Sequence, residues 1–297
     1  IASINMVLGA AASGVRAMTS SSSPGISLKQ EGLSFLAALE LPAVIVNINR
    51  GGPGLGNIAP SQGDYYQATR GGGHGDYRMP VYAPASVQEL YDITMRAFDV
   101  ADLYRTPVMI LGDGMMGQIM EPIYVRERPD VEIPPKDYIL DGAEGRPSRI
   151  VKSLILDPSE MEEHNWKLKR KYDLMAHDLP QWEEFMTDDA KLTIIAYGTA
   201  ARIAKGAVKR ARSDGLKVGL LRPITLWPFP DEAIRSVAKK TKLFLVFEMS
   251  TGQMVDDVRL AVEGKVPCEF YGRPGGVVPI PQEIARIIER YWLQKEL

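Results

Sequence analysis

The sequence predicts an α/β fold built as two parallel-sheet domains, and three observations carry that expectation. Apolar strand-like runs alternate with helical periodicity: AVIVNIN (43–49) and TPVMILGDG (106–114) in the first half, then KLTIIAYGT, LKVGLLRP, KLFLVFEM and PCEFYG between 191 and 272. At 297 residues and 45% hydrophobic composition the chain can build two domains, each with its own core. Between the halves the composition changes to EPIYVRERPDVEIPPKDYIL (121–140) and EEHNWKLKRKYDLM (162–175), rich in proline and charge, which reads as a long surface connector.

Taken in order, residues 3 to 18 read as a helix of small residues, TSSSSPG (19–25) as a polar turn, and SLKQEGLSFLAALE (27–40) as a second helix leading through Pro42 into the first strand. Ser86-Val-Gln-Glu89 is a capping box, and Val87, Leu90, Tyr91, Thr94, Met95 and Phe98 follow at helical spacing, so a helix is predicted from 87 to 105. TPVMILGDG reads as a buried parallel strand ending in a turn. The first domain is placed at 1–125 and the connector at 126–189, with one polar helix near 159–176. Four strand and helix pairs then form a compact parallel sheet covered by helices at 190–297: ARIAKGAVKRARSDG, DEAIRSVAKKT, QMVDDVRLAVEG and PQEIARIIERYW supply the helices.

Charge and cysteine content exclude several function classes. Lys and Arg total 35 against 37 Asp and Glu, so no basic field would attract nucleic acid or an anionic membrane. Cys268, the single cysteine, excludes a disulfide framework and any cysteine-ligated zinc or iron-sulfur site made by this chain alone, and it reads as a buried strand residue. Any such cluster must sit on a partner. His74, His164 and His177 are too scattered for a helical metal pair. The opening IASINMVLGAAASGVRAM lacks a basic n-region and the length of a membrane span, so a cytoplasmic protein is expected. The chain opens on Ile1 in mid-helix, which suggests a piece of a longer polypeptide.

The candidate chemistry begins at NRGGPGLG (49–56), a glycine-rich turn at the end of a strand. Neither dinucleotide nor P-loop spacing can be read there, and Pro53 removes a donor from any phosphate nest. A loop at the carboxyl end of a strand is nevertheless where open α/β sheets place ligands. Arg50 can offer a two-pronged fork to a carboxylate or phosphate; as an exposed residue or an internal ion pair it would have no such role, and its chemistry alone leaves both open. Gly112-Asp113-Gly114 resembles the start of the magnesium and thiamine diphosphate signature, but the window about thirty residues on, KDYILDGAEG, lacks its asparagine, so Asp113 reads as a turn residue. His74 follows Gly71-Gly72-Gly73 with no nucleophile in a strained elbow, so hydrolytic triad chemistry has no support.

These motifs together resemble the alpha-type subunit of the 2-oxoacid:ferredoxin oxidoreductases. The likeness runs through ASINMVLGAAASGVRAMTSSSSPGISL, VNINRGGPGLG, SQGDYYQATRGGGHGDYR, APASVQELYDIT, TPVMILGDGMMGQ, LLRPITLWPFP and EMSTGQM, nearly the whole chain with the connector weakest. RGGPGLG and GGGHGDYR are most similar to the branch acting on 3-methyl-2-oxobutanoate (2-oxoisovalerate), with the 2-oxoglutarate branch close. The resemblance implies an N-terminally truncated thiamine diphosphate pyrimidine-binding-like domain followed by a transketolase C-terminal-like domain. It implies oxidative decarboxylation of a 2-oxoacid, with the acyl group passed to coenzyme A and electrons to ferredoxin, chemistry that the cofactor carries and the protein orients. Partners are implied as a beta-type subunit holding the diphosphate and magnesium, a gamma-type subunit and a ferredoxin-like delta-type subunit, with iron-sulfur clusters on the beta-type and ferredoxin-like subunits.

Residue by residue, the resemblance places Arg50 on the substrate carboxylate beside Gly51 and Gly52 of the substrate loop, and puts Thr19, Ser20, Ser21, Ser22, Ser23, Pro24 and Gly25 on the thiamine-facing crevice. It assigns no metal to this chain. The family's activating glutamate and its Tyr-Pro-Ile-Thr-Pro loop are expected before the ASINM helix, outside this sequence, so these 297 residues alone are expected to be inactive. Arg222 and the turn Trp227-Pro228-Phe229 are either a packed strand exit or an interface, and Glu248 to Met254 meet a neighbouring subunit or coenzyme A. The rival readings are a transketolase-like or dehydrogenase E1 beta-type chain and, from another class, a non-catalytic scaffold.

Overall fold

The computed structural model describes residues 1–127 and 130–297. In chain order the elements are α1 (Ala2–Ala12), β1 (Met18–Ser22), α2 (Ser23–Ser27), α3 (Gln30–Ala38), β2 (Ala43–Asn49), α4 (Tyr65–Arg70), β3 (Val81–Tyr82), α5 (Val87–Tyr104) and β4 (Pro107–Asp113). They continue with α6 (Pro158–Asp178), β5 (Trp182–Phe185), β6 (Leu192–Ile195), α7 (Gly198–Ser213), β7 (Val218–Pro223), β8 (Thr225–Trp227), α8 (Asp231–Ala238), β9 (Leu243–Glu248), α9 (Met254–Val262), β10 (Cys268–Gly272) and α10 (Pro281–Gln294). Two sheets result, ordered β1-β2-β4-β3-β8 and β10-β9-β6-β7-β5. Each is parallel except at one edge, where β8 and β5 run antiparallel to their neighbours.

Both antiparallel edge strands come from stretches that composition did not mark as strands. Trp182–Phe185 lies in the stretch read as connector, yet it pairs with β7 of the second sheet. Thr225–Trp227, which runs into the turn read at Trp227-Pro228-Phe229, crosses to the first sheet and pairs with β3. Three- and four-residue edge strands take their pairing from a neighbour, so no local period betrays them. The run 19–25 needs a correction for a related reason. It is not a turn: Thr19 to Ser22 pair in parallel with Ile45 to Ile48, and Ser23 opens the short α2 with Pro24 at its first turn. Hydroxyl-rich composition mimics a turn, but the backbone of β2 offers it a ladder. The helix expected over 3–18 likewise stops at Ala12.

Three apolar clusters hold the sheets. One face of the first sheet packs Val44, Val46, Val108 and Ile110 against α5 and against Leu168, Tyr172 and Met175 of α6, so the polar connector helix buries a narrow stripe at helical spacing. α7 and α10 cover one face of the second sheet. The third cluster is continuous across the molecule: Ile45, Met109 and Leu111 of the first sheet belong with Ile195, Leu221, Phe244 and Val246 of the second. Arg222 reinforces that junction. Only 4% exposed, it donates two hydrogen bonds to Glu89 of α5, at 2.8 and 2.7 Å, and a third from Nε to Glu183 of β5 at 2.9 Å. It is a packed strand exit that ties three segments together. Among the described residues no helix is long and apolar enough to cross a membrane.

Candidate functional site

A hollow of about 1030 Å³ lies beside α6, Tyr77 and Trp227, away from the carboxyl ends of β2 and β9. A smaller cavity of about 390 Å³ opens where the first sheet's β2 and the second sheet's β9 both end, the position at which α/β sheets hold ligands. Its walls include Ser23, Pro24, Arg50 and Gly52 from the first half, and Ser250, Thr251 and Gln253 from the second. The geometry of this junction sets the chemistry available.

The glycine loop closes on itself. Gly51 donates its N–H to the Ala59 carbonyl and accepts from the Asn57 N–H, both at 2.9 Å, while Asn57 Nδ2 reaches the Gly275 carbonyl at 2.9 Å. Gly56 stands at φ 58°, where an added Cβ would lie 1.8 Å from the Gly51 oxygen, so only glycine lets the loop fold this tightly. The Gly51 N–H is thus committed inside the loop. Arg50 donates its backbone N–H to Ser23 Oγ at 3.1 Å, and that hydroxyl in turn contacts Asn49 Oδ1 at 3.4 Å. Three buried atoms at this strand end have no partner: Asn47 Oδ1, Asn49 Nδ2 and Arg50 Nε. Buried polar atoms are normally satisfied, so this cluster marks a place where a polar ligand belongs.

The loop after Arg50 is stitched to the second sheet. Gln62 gives its amide N–H₂ to the Tyr197 carbonyl and accepts the Met249 N–H, each at 2.9 Å, and its backbone N–H bonds the Met249 carbonyl at 2.9 Å. Gln253 donates to the Gly63 carbonyl at 2.8 Å and accepts from the Tyr66 N–H at 2.7 Å. Behind Gln253, the fully buried Glu248 accepts from the N–H groups of Gln253, Met254 and Val255 and from Ser250 Oγ at 3.0–3.2 Å. Burial holds the Glu248 carboxyl above its usual range despite those donors. Burial likewise pushes the Tyr197 phenol well above its ordinary value.

Of the residues singled out from sequence, the cavity brings together Arg50, Gly52, Ser23 and Pro24. Thr19 to Ser22 lie in β1, where Thr19 Oγ1 and the Ser20 carbonyl accept from Lys29 Nζ at 2.8 and 3.1 Å. Gly25 packs on Ser21, and Gly51 is buried behind the loop. His74 is exposed and outside the cavity. Asp113 is the turn residue its sequence suggests, accepting from Met115 and Met116 N–H at 3.0 and 3.1 Å. Cys268 opens β10 half-buried, its thiol pushed up to about 11 by burial. Ser250, Thr251 and Gln253, within the stretch Glu248 to Met254 singled out from sequence, form the opposite wall, whereas Asp64 was missed. A signal for the two facing walls existed: EMSTGQM is a polar, glycine-bearing exit from an apolar strand, as NRGGPG is, and two such exits on two sheets invite pairing.

Comparison with known proteins fits this geometry. The family model described as pyruvate flavodoxin/ferredoxin oxidoreductase, thiamine diP-bdg, matches residues 1–176, and that for the pyruvate:ferredoxin oxidoreductase core domain II matches 190–284. The chain is 50% identical, over 97% of its length and 81% of the relative's, to the ketoisovalerate oxidoreductase subunit VorB of Methanothermobacter marburgensis. It is 38% identical, over 97% of its length and 84% of the relative's, to the 2-oxoglutarate synthase subunit KorA of Methanothermobacter thermautotrophicus. Among solved structures it resembles the 2-oxoglutarate:ferredoxin oxidoreductase of Magnetococcus marinus, determined with 2-oxoglutarate, coenzyme A and succinyl-CoA bound. The TM-score is 0.82 at 25% identity, covering 98% of this chain and 55% of that one. A split-gene transketolase shares the fold, with TM-score 0.60 at 15% identity over 98% of this chain and 81% of the other. The chain therefore belongs to the pyruvate flavodoxin/ferredoxin oxidoreductase family, as a subunit of a 2-oxoacid:ferredoxin oxidoreductase.

Proposed function

We propose that this chain supplies the pyrimidine-side half-site and the substrate arginine of an enzyme that oxidatively decarboxylates 2-oxoisovalerate to an acyl-CoA, passing electrons to ferredoxin. The observation that carries the proposal is Arg50, whose buried Nε has no partner beside a cavity at the strand ends. A guanidinium left unsatisfied in that setting suits a bound carboxylate. The cavity wall carries Arg50 as its cation, so it suits a 2-oxoacid with one carboxylate better than 2-oxoglutarate, whose second carboxylate would need another partner. The 50% identical relative, a ketoisovalerate oxidoreductase subunit, supports the same choice.

The cavity also suits the polar heterocycle of thiamine diphosphate: Ser23 lines it with a hydroxyl, and at the adjoining strand end Asn47 Oδ1 and Asn49 Nδ2 are an acceptor and a donor without partners among the described residues. Thiamine diphosphate, when bound, supplies the electron sink for decarboxylation. This chain's part is to hold the substrate carboxylate at Arg50 and to exclude water with the glycine loop. Among the described residues no group of three or more His, Cys, Asp or Glu could hold a metal. In this reading a beta-type partner holds magnesium and the diphosphate, the iron-sulfur clusters lie on the beta-type and ferredoxin-like delta-type subunits, and a gamma-type subunit completes the complex. Residues 1–125 and 190–297 serve as the two domains joined by the connector 126–189, and the lone, unpaired cysteine suits a cytoplasmic enzyme.

The test is viologen reduction by the complex of this chain with its partner subunits, given thiamine diphosphate, coenzyme A and a panel of 2-oxoacids. The highest kcat/KM is expected with 2-oxoisovalerate. Arg50→Ala is expected to raise KM for the 2-oxoacid about 10- to 100-fold, the equivalent of roughly 1.5–3 kcal/mol for a hydrogen bond to a charged group. An unchanged KM removes Arg50 from the substrate site, and a preference for 2-oxoglutarate moves the substrate but keeps the reaction.

A further inference from the structure

Asp64 is the second charge in the cavity. Arg50 and Asp64 are the ionisable side chains of its wall; the others are serine, threonine, glutamine, proline and glycine. The ordinary structural tasks of an aspartate at this position are not performed. Asp64 precedes α4, but its side chain makes no capping hydrogen bond to that helix. Among the described residues no cation lies within ion-pair distance of it. Its carboxylate accepts one hydrogen bond, from Asn47 Nδ2 to Oδ2 at 2.9 Å, so that among the described residues Oδ1 has no partner, and Asp64 lines the cavity.

The backbone that carries this carboxylate is nonetheless fixed from both sides. Gln62 and Gly63 before it and Tyr66 after it are all bonded to the second sheet's loop through Met249 and Gln253. Asn47, on the strand that ends in Arg50, sets the carboxylate's orientation. A rigid backbone, an oriented carboxylate and one uncommitted oxygen in the substrate cavity are what a positioned proton acceptor requires. The alternatives nearby are occupied: Glu248 is saturated with donors, Asp113 holds its own turn, and His74 lies outside the cavity.

We infer that Asp64 accepts the proton of the coenzyme A thiol as the acyl group is transferred to sulfur. This rests on the function proposed above. The S–H bond breaks, with its proton going to a carboxylate oxygen of Asp64, and a bond forms between sulfur and the acyl carbon. The bond that held that carbon breaks, its electron pair staying with the departing side. Oxidation to the acyl level is complete before this step, its electrons delivered to the ferredoxin pathway, so transfer itself needs no further oxidant.

The experiment compares wild-type, Asp64→Asn and Asp64→Glu complexes at pH 7 and pH 9, measuring the rates of CO2 release and of acyl-CoA formation separately within a single turnover, with coenzyme A affinity read by calorimetry. At pH 7 Asp64→Asn is expected to lower acyl-CoA formation about 100-fold more than CO2 release, within the range of general-base catalysis. A thiol ionises by itself near pH 8.5, so the deficit is expected to shrink to less than about 10-fold at pH 9. Around Asp64, Asn47 and Gln253 are neutral, and the Tyr197 phenol is held well above its ordinary value by burial. Asp64→Glu is expected to recover part of the loss at pH 7, and coenzyme A affinity to match wild type in all three. A deficit equal at both pH values, or CO2 release falling as far as acyl transfer, overturns the inference. Wild-type complex that releases no CO2 from any 2-oxoacid overturns the proposed function, and the inference with it.

Discussion

Glu40 closes α3 with its backbone at φ 52° and its carboxyl between two lysines of α6. Lys171 donates to Oε2 at 3.0 Å and Lys167 to the other oxygen, while Arg105 Nε donates to the Glu40 carbonyl at 3.3 Å. Burial alone would raise this carboxyl, but the two ammonium groups outweigh it and hold it below the usual range. A depressed folded-state pKa means the contribution is full above the unfolded value, about 4.3, and is lost as pH falls through the folded one. Glu40→Gln is therefore expected to cost roughly 1–2 kcal/mol at pH 7 and progressively less as pH falls below the unfolded value, read as the difference in urea midpoints at each pH. A difference that does not change with pH would mean packing, not charge, holds α6 here. At this scale Arg50 was legible, because an arginine on a glycine loop at a strand end is an unusual local pattern. Asp64 was not: nothing in SQGDYY distinguishes an aspartate that caps a helix from one that faces a cavity, and the distinction rests on Asn47, seventeen residues away.

α5 shows how far an element can be read from its own letters. Its capping box works at the amino end, where Ser86 Oγ accepts the Glu89 N–H at 3.1 Å. The Glu89 carboxylate accepts from Ala85 N–H at 2.8 Å, one residue before the position a capping box uses, and the same carboxylate receives the Arg222 fork. The motif was legible and its second use was not, since Arg222 is 133 residues distant. Ser86→Ala is expected to cost about 1 kcal/mol, the ordinary value of an amino-terminal cap. Glu89→Ala is expected to cost more, roughly 2–3 kcal/mol, because it strips two of three hydrogen bonds from an arginine whose side chain is 5% exposed. Urea midpoints at unchanged slope would show this order. Equal costs would mean that Glu183 alone suffices for Arg222. β1, β5 and β8 escaped a local reading for the complementary reason: each is short, and its strand character is conferred by β2, β7 or β3.

The molecule as a whole is two sheets with one shared apolar cluster and a polar seam at the cavity. Gln62, 2% exposed, is the centre of that seam, since its side chain satisfies a carbonyl of Tyr197 and an N–H of Met249 that no water can reach. Gln62→Leu preserves the volume but leaves the Met249 N–H unpaired, at about 1–3 kcal/mol, while the Tyr197 carbonyl keeps only the Ala201 N–H at 3.1 Å. The Met249 carbonyl keeps the Gln62 N–H and the Ser61 hydroxyl, at 2.9 and 3.3 Å, so the seam is weakened without being abolished. The loss falls on the junction and not on either sheet, which separates it from ordinary core damage. Native-state hydrogen exchange reads that difference. In the wild type the Gln62 and Met249 amides, which bond across the seam, are expected to exchange together. In Gln62→Leu both are expected to speed up by about 100-fold or more, while Ile45 and Val46 in the middle of β2 change far less. Acceleration of the same size at β2 would show that the sheets open only as one unit. A seam that opens by itself would instead part Asp64 and Arg50, both on the first-sheet side, from Ser250, Thr251 and Gln253 across the cavity, and acyl transfer would fail in that variant before the fold does.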